Sequence, residues 1–203
     1  NPADGIIVPA NQPVTPEASG PYLGSHCVAG YRSQQMYDAI AQLTAQGPVT
    51  LEEASKIMLL DGSPQAQEVA PALTTVELND ERHKELQSEL ARWYERGGHY
   101  AVDEPGAMIM ASLFSHLGHA ALADDGVEYP EIRLMGKLIS EPQNPLWDDK
   151  NTPEVEDAAQ IMRRAYAETD AELTARLSRD HTTWRWGGLH VQTSRHQILE
   201  GEE

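Results

Sequence analysis

The residues that could do chemistry in this 203-residue chain are eight histidines and a single cysteine. His116 and His119 lie three apart, on one face of a helix, and His190 and His196 follow near the end. A zinc site needs three or four convergent ligands, often with a carboxylate at helical spacing. No His-Glu-x-x-His stretch occurs, and the 116/119 pair has no evident third ligand. These histidines therefore read as polar groups near helix ends. Cys27 beside His26 raises a thiol nucleophile, but a base must reach the sulfur in space, and neighbours in sequence often point apart. A lone cysteine at the start of an apolar helix is a packing residue in the plainer reading. The chain has no Gly-x-Ser-x-Gly elbow, no phosphate-binding loop and no dinucleotide-type glycine fingerprint.

Charge narrows the function classes further. The formal net charge is −17. Such a surface repels phosphate, which argues against nucleic-acid binding through a basic patch and against anionic membrane surfaces. One cysteine excludes an internal disulfide. No stretch reaches 18 apolar residues, so no membrane-spanning helix is expected. The start, Asn1-Pro2-Ala3-Asp4, has neither a basic nor an apolar leader region, so any signal peptide is expected to lie upstream.

Positioning falls to helices. Gly5-Ile6-Ile7-Val8 is a β-branched run bounded by Asp4-Gly5 and Pro9, and it predicts a short strand. Residues 9–24 carry four prolines and form a loop long enough to signal function or disorder. From Val28 the period turns helical, with Met36, Ile40 and Leu43 as a stripe that Gly47-Pro48 ends. Thr50-Leu51-Glu52-Glu53 is a capping box that starts a helix ending near Asp61-Gly62. A helix over 64–76 follows, kinked at Pro71. Asn79 caps another, running to Arg96 and stopped by Gly97-Gly98, with Leu86, Leu90 and Trp93 on one face. Pro105 opens the next, with Ile109, Leu113 and Leu117 as its stripe. Residues 130–139 form a shorter helix and 141–152 a loop. Thr152-Pro153-Glu154 starts the longest helix, to about Arg179, with Val155, Ala158, Met162, Tyr166, Leu173 and Leu177 in the core. The expected fold is thus mainly α: one short N-terminal strand, then six or seven helices, in a single domain over 1–203. Its divisions are a strand and loop over 1–24, a helical region over 25–183 and an irregular segment over 184–203.

The segment 5–36 is the informative one. It reads Gly5-Ile6-Ile7-Val8-Pro9-Ala10-Asn11-Gln12-Pro13, then Gly20-Pro21-Tyr22-Leu23-Gly24, then Gly30-Tyr31-Arg32-Ser33. This resembles the penicillin acylase family, whose members show a strand, an Ala-Asn-Asn-x-Pro-like turn, a Gly/Tyr-rich loop and a helix opening on an aromatic-Arg pair. The likeness continues through the Asp61–Leu73 turn and helix, through Leu90-Ala91-Arg92-Trp93, and through Trp184, Trp186, Gly187 and His190. The ordered set spans almost the whole chain. Two positions depart from the pattern: Gln12 stands for the usual second Asn, and Gln35 stands where many members have Arg.

The resemblance implies an N-terminal-nucleophile hydrolase that cleaves the amide between an acyl group and an amine. A new N-terminal Ser attacks the carbonyl with its own α-amine as base, since that amine titrates near pH 8. An acyl-enzyme forms and water releases it. By position, Asn11 corresponds to the family's oxyanion-binding Asn, and Arg32 to the Arg that orients it; these are the two site residues the resemblance implies. It also implies an acyl-amide small-molecule substrate, partnership with the remainder of the acylase chains, and a periplasmic or secreted parent. No cofactor is expected in this chain. Calcium is allowed in the parent, although its Asp ligand has no counterpart between Pro21 and Gly24. Residue 1 is Asn, so the nucleophile is expected upstream, and the chain alone is expected to be an inactive internal piece prone to self-association. A stand-alone acidic helical interaction domain is the rival class.

Overall fold

Thr50 starts a helix as its neighbours dictate. Its hydroxyl accepts from the Glu53 amide at 3.2 Å, and the Glu53 carboxylate accepts from the Thr50 amide at 2.8 Å, so two orphan donors are satisfied reciprocally. That helix is α2 (Leu51–Ile57) and follows α1 (Tyr31–Thr44). The computed structural model describes residues 2–13 and 27–193. Within them follow α3 (Pro64–Glu68), α4 (Ala70–Thr75), α5 (Glu81–Glu95), α6 (Pro105–Leu122), α7 (Ile132–Ser140), α8 (Ala158–Arg176) and α9 (Trp186–Leu189). Single 3₁₀ turns occupy Pro145–Trp147 and His181–Thr183. The architecture is mainly helical, as the periodicity indicates, and no helix among the described residues is long and apolar enough to cross a membrane.

The core is built around α6, which is apolar around most of its circumference and lies between α5 and α8. Leu86, Leu90 and Trp93 come from α5; Ile109, Met110, Leu113 and Leu117 from α6; Ile161, Ala165, Tyr166 and Leu173 from α8. The α5–α6 crossing is close because Gly106 has no side chain: a Cβ there would overlap that of Trp93 and lie 3.2 Å from the Glu89 carbonyl oxygen. Buried aromatic polar atoms all find partners, as burial requires. Trp93 Nε1 donates to the His99 carbonyl at 2.6 Å, Trp184 Nε1 to that of Ser178 at 2.9 Å, and Trp147 Nε1 to that of Glu141 at 3.2 Å. The Tyr166 hydroxyl donates to the Leu73 carbonyl at 2.9 Å.

Several elements differ from the sequence expectation. Gly5–Val8 forms no strand: a strand exists only with a partner for its ladder, and among the described residues the sole bridge joins Gly62 and His99. The helix expected over 64–76 is two short helices, broken at Val69, and Pro71 sits in the first turn of α4 where a missing N–H costs nothing. The cap of α5 is Asp80 rather than Asn79, through a bond from the His83 amide at 3.1 Å. The longest helix begins at Ala158, capped by Asp157 with Gln160 in a second capping box. Val155 consequently lies outside the helix and is 83% exposed. Thr152 serves the loop instead, its hydroxyl bonded to the Asp149 carbonyl and the Glu156 carboxylate. Arg164 fastens that loop, donating to Asp149 at 2.9 Å, Glu156 at 3.1 Å and the Ala120 carbonyl at 2.9 Å. The C-terminal segment read as irregular contains α9 and the buried Trp184.

Candidate functional site

The turn at Asn11 and the first turn of α1 meet in space, although 21 residues separate Asn11 from Arg32. The Arg32 guanidinium donates through Nη2 to Asn11 Oδ1 at 2.7 Å and to the Ala10 carbonyl at 3.1 Å. The Val28 amide donates to the Asn11 carbonyl at 2.9 Å. A further bond, from the Tyr37 hydroxyl to Asp4, ties the N-terminal segment to the same helix. Asn11 has φ +64° and, among the described residues, is the one non-glycine in the left-handed region. Asparagine tolerates that region better than most L residues because its short polar side chain bonds locally.

This geometry fixes which way the Asn11 amide faces. A guanidinium has five donors and no acceptor, so it can meet only the oxygen of the amide. With Oδ1 held by Arg32, the Nδ2 hydrogens lie on the other side of the amide, oriented as donors. An oriented donor of this kind suits a developing negative oxygen, because its dipole is aligned before charge appears. Gln12 closes the same turn from the other side: the Ala10 amide donates to Gln12 Oε1 at 2.7 Å, and Gln12 Nε2 donates to the Val8 carbonyl. Ala10 itself is buried. The structure thus brings Asn11 and Arg32 together and adds Gln12, which sequence reasoning noted as a departure from pattern but assigned no task. Its reach back across Pro9 and Ala10 leaves no periodic signal.

Beside this corner, at the N-terminal end of α1, lies an open groove of about 770 Å³ bordered by Gly30, Tyr31, Gln34, Glu68, Arg133 and Lys137. Burial, reinforced by the charge of Glu68 and a hydrogen bond to it, raises the Tyr31 hydroxyl above its ordinary value. Gly136 lets Glu68 lie against α7, since a Cβ there would stand 2.6 Å from its carboxylate.

The other residues singled out by type are placed elsewhere. His116 lies between two carboxylates of α8, with Nδ1 3.3 Å from Glu168 and Nε2 3.1 Å from Glu172. Ser112 also donates to Glu172, at 2.6 Å. Burial pushes the Glu172 carboxyl up, but the hydrogen bonds from Ser112, Arg176 and His116 together hold it below the usual range. His119 is exposed, and His190 stacks on Trp186 at 4.3 Å between ring centres. Cys27 is exposed rather than packed. Among the described residues no group of three or more His, Cys, Asp or Glu could hold a metal ion. His26, His196 and the greater part of the loop 9–24, with Gly20 to Gly24, lie outside the described residues.

Comparison with known proteins bears on what this corner is for. The model of the penicillin amidase family matches residues 1–202. An acyl-homoserine lactone acylase QuiP of Pseudomonas fluorescens is 24% identical over 215 aligned positions, covering 94% of this chain and 26% of that protein. The QuiP acylase of Pseudomonas putida is 42% identical over 53 residues, covering 26% of this chain and 6% of its own length. That of Pseudomonas aeruginosa is 35% identical over 54 residues, covering 27% and 6%. This chain therefore spans only about a quarter of the relative that it matches from end to end. No solved structure matches it significantly.

Proposed function

The chain belongs to the penicillin amidase family, and from that premise we propose that it is the part of an amide-hydrolysing enzyme that supplies an oxyanion donor. In this reading Asn11 donates through Nδ2 to the tetrahedral oxyanion, and Arg32 holds the amide in register for it. The N-terminal nucleophile comes from chain beyond these 203 residues, and these residues alone do not turn over substrate. The observation that carries the reading is the 2.7 Å bond from Arg32 to Asn11 Oδ1, which commits the oxygen of the amide and leaves its nitrogen to act.

The names of the relatives support an acyl-homoserine lactone as substrate, cleaved at its acyl-amide bond. The rest of the parent acylase is the expected partner. Three exposed apolar side chains on and just after α2 support this: Leu51, Met58 and Leu59 are 87%, 78% and 79% exposed. The same exposed side chains favour self-association of the isolated chain. A periplasmic or secreted location goes with the family reading. In the same reading calcium is allowed in the parent enzyme, and no cofactor is assigned to this chain.

The test is Asn11→Ala in the full-length parent. Losing one oxyanion donor should lower kcat roughly 10²–10³-fold. KM should change less, because a ground-state carbonyl is a weaker acceptor than the oxyanion. Arg32→Lys keeps the charge and loses the planar fork, so a partial loss is expected. Normal kcat in a folded Asn11→Ala enzyme overturns the assignment.

A further inference from the structure

We infer that Gln12 is a positioning residue that holds Asn11 in its donor geometry, an inference that rests on the reading of Asn11 given above. The side-chain amide of Gln12 spans two peptide groups of one turn. Oε1 accepts from the Ala10 amide at 2.7 Å, and Nε2 donates to the Val8 carbonyl. The backbone of Ala10 is therefore held on both sides of its Cα, its N–H by Gln12 and its C=O by Arg32 at 3.1 Å. Asn11 is the next residue, at φ +64°.

Asparagine adopts the left-handed region more readily than most residues but also adopts extended backbone, so holding Asn11 in this one conformation falls to its surroundings. Here no β-ladder does so: the residues before the turn have no strand partner among those described. What remains are the bonds to Gln12, Arg32 and the Val28 amide. The inventory of side chains explains why glutamine suits the place. It offers one acceptor and two donors at the end of two methylenes. Glutamate could accept from Ala10 but could not donate to the Val8 carbonyl. Asparagine is one methylene shorter and could not reach both groups. Without the clamp, the turn relaxes, and the Asn11 amide spends less time aimed at the oxygen that becomes the oxyanion. Since the lost quantity is alignment in the transition state, the effect falls on kcat rather than KM.

A double-mutant cycle in the full-length parent tests this, with Asn11→Ala, Gln12→Ala and the pair, assayed on an acyl-homoserine lactone and checked by thermal melt. Gln12→Ala should lower kcat roughly ten- to a hundredfold, the scale expected for a misplaced group, with KM little changed. In the Asn11→Ala background the same change should cost almost nothing more, because Gln12 acts through Asn11. Gln12→Glu keeps the size but replaces the donor by an anionic oxygen facing the Val8 carbonyl; it should lower kcat as well and serves if Gln12→Ala folds poorly. Normal kcat in the Gln12 variants of an enzyme that Asn11→Ala impairs overturns the proposal while leaving Asn11 standing. An equal cost of Gln12→Ala in both backgrounds also overturns it, since a merely structural role would be additive. A full-strength Asn11→Ala enzyme defeats the reading of Asn11 itself, and the proposal with it.

Discussion

Gly106→Ala tests how closely α5 and α6 cross in the core. The added Cβ would overlap Trp93 Cβ and lie 2.7 Å from its Cγ and 3.2 Å from the Glu89 carbonyl. Trp93 has little freedom to move aside. Its side chain is 1% exposed, its Nε1 is bonded to the His99 carbonyl, and its ring meets Tyr100 edge-on at 5.6 Å. Overpacking of this kind costs about 1–3 kcal/mol, and an anchored neighbour puts this case near the top. Alanine's helix propensity returns up to about 1 kcal/mol. The net loss is therefore about 2 kcal/mol. For a chain of this length Tm falls by about 2–4 °C per kcal/mol, which makes the expected drop about 4–8 °C. Far-UV circular dichroism of this chain on heating is the assay. Gly188→Ala is the control: its new Cβ would meet nothing nearer than Leu177 Cδ2 at 3.7 Å, an ordinary contact, and a change within about 0.5 kcal/mol is expected. A Gly106→Ala chain that melts with the wild type would refute the close crossing.

Two further outcomes follow from the buried and half-buried polar groups. Glu172 is held low by the bonds that outweigh its burial; Asp149 is held low first by the Asn151 amide, against burial, and also by Arg164. A carboxylate with a folded pKa below its unfolded one contributes stability that is complete above about pH 4–4.5 and is lost as pH falls through the folded value. The melting temperature should therefore hold from neutrality to about pH 5 and fall below about pH 4. Ser112→Ala should make that acid limb shallower, and an unchanged limb would contradict the assignment. Tyr166→Phe should cost only about 0.5–1.5 kcal/mol in urea unfolding, because Gln87 Nε2 also donates to the Leu73 carbonyl, at 2.9 Å, and keeps it satisfied. A loss of several kcal/mol would show that Tyr166 is the carbonyl's main donor.

What the sequence made legible was mostly local. The capping box at Thr50 and the proline at the start of α6 are short-range devices, and both stand where residue types put them. The start of α8 was misplaced because Thr152 and Asp157 are equally good caps on paper. What separates them is Arg164, fifteen residues from Asp149 and eight from Glu156, which pins the intervening loop outside the helix. Val155 was assigned to the core for the same reason. Gly5–Val8 has strand composition, yet composition supplies no partner. At the candidate site, Asn11 was readable as a turn residue, and its pairing with Arg32 only through family resemblance, since no periodicity links positions 21 apart. Gln12 stayed hidden because a side chain that bonds its own backbone two and four residues back looks in sequence like any polar residue beside a proline.

The most direct measurement is a crystal structure of the full-length parent carrying a tetrahedral adduct on its nucleophile. The account predicts Asn11 Nδ2 about 2.7–3.1 Å from the adduct's oxyanion, with Asn11 Oδ1 still on the Arg32 guanidinium. An oxyanion bound by other donors, with Asn11 beyond hydrogen-bonding reach or turned so that Oδ1 faces it, would contradict the account.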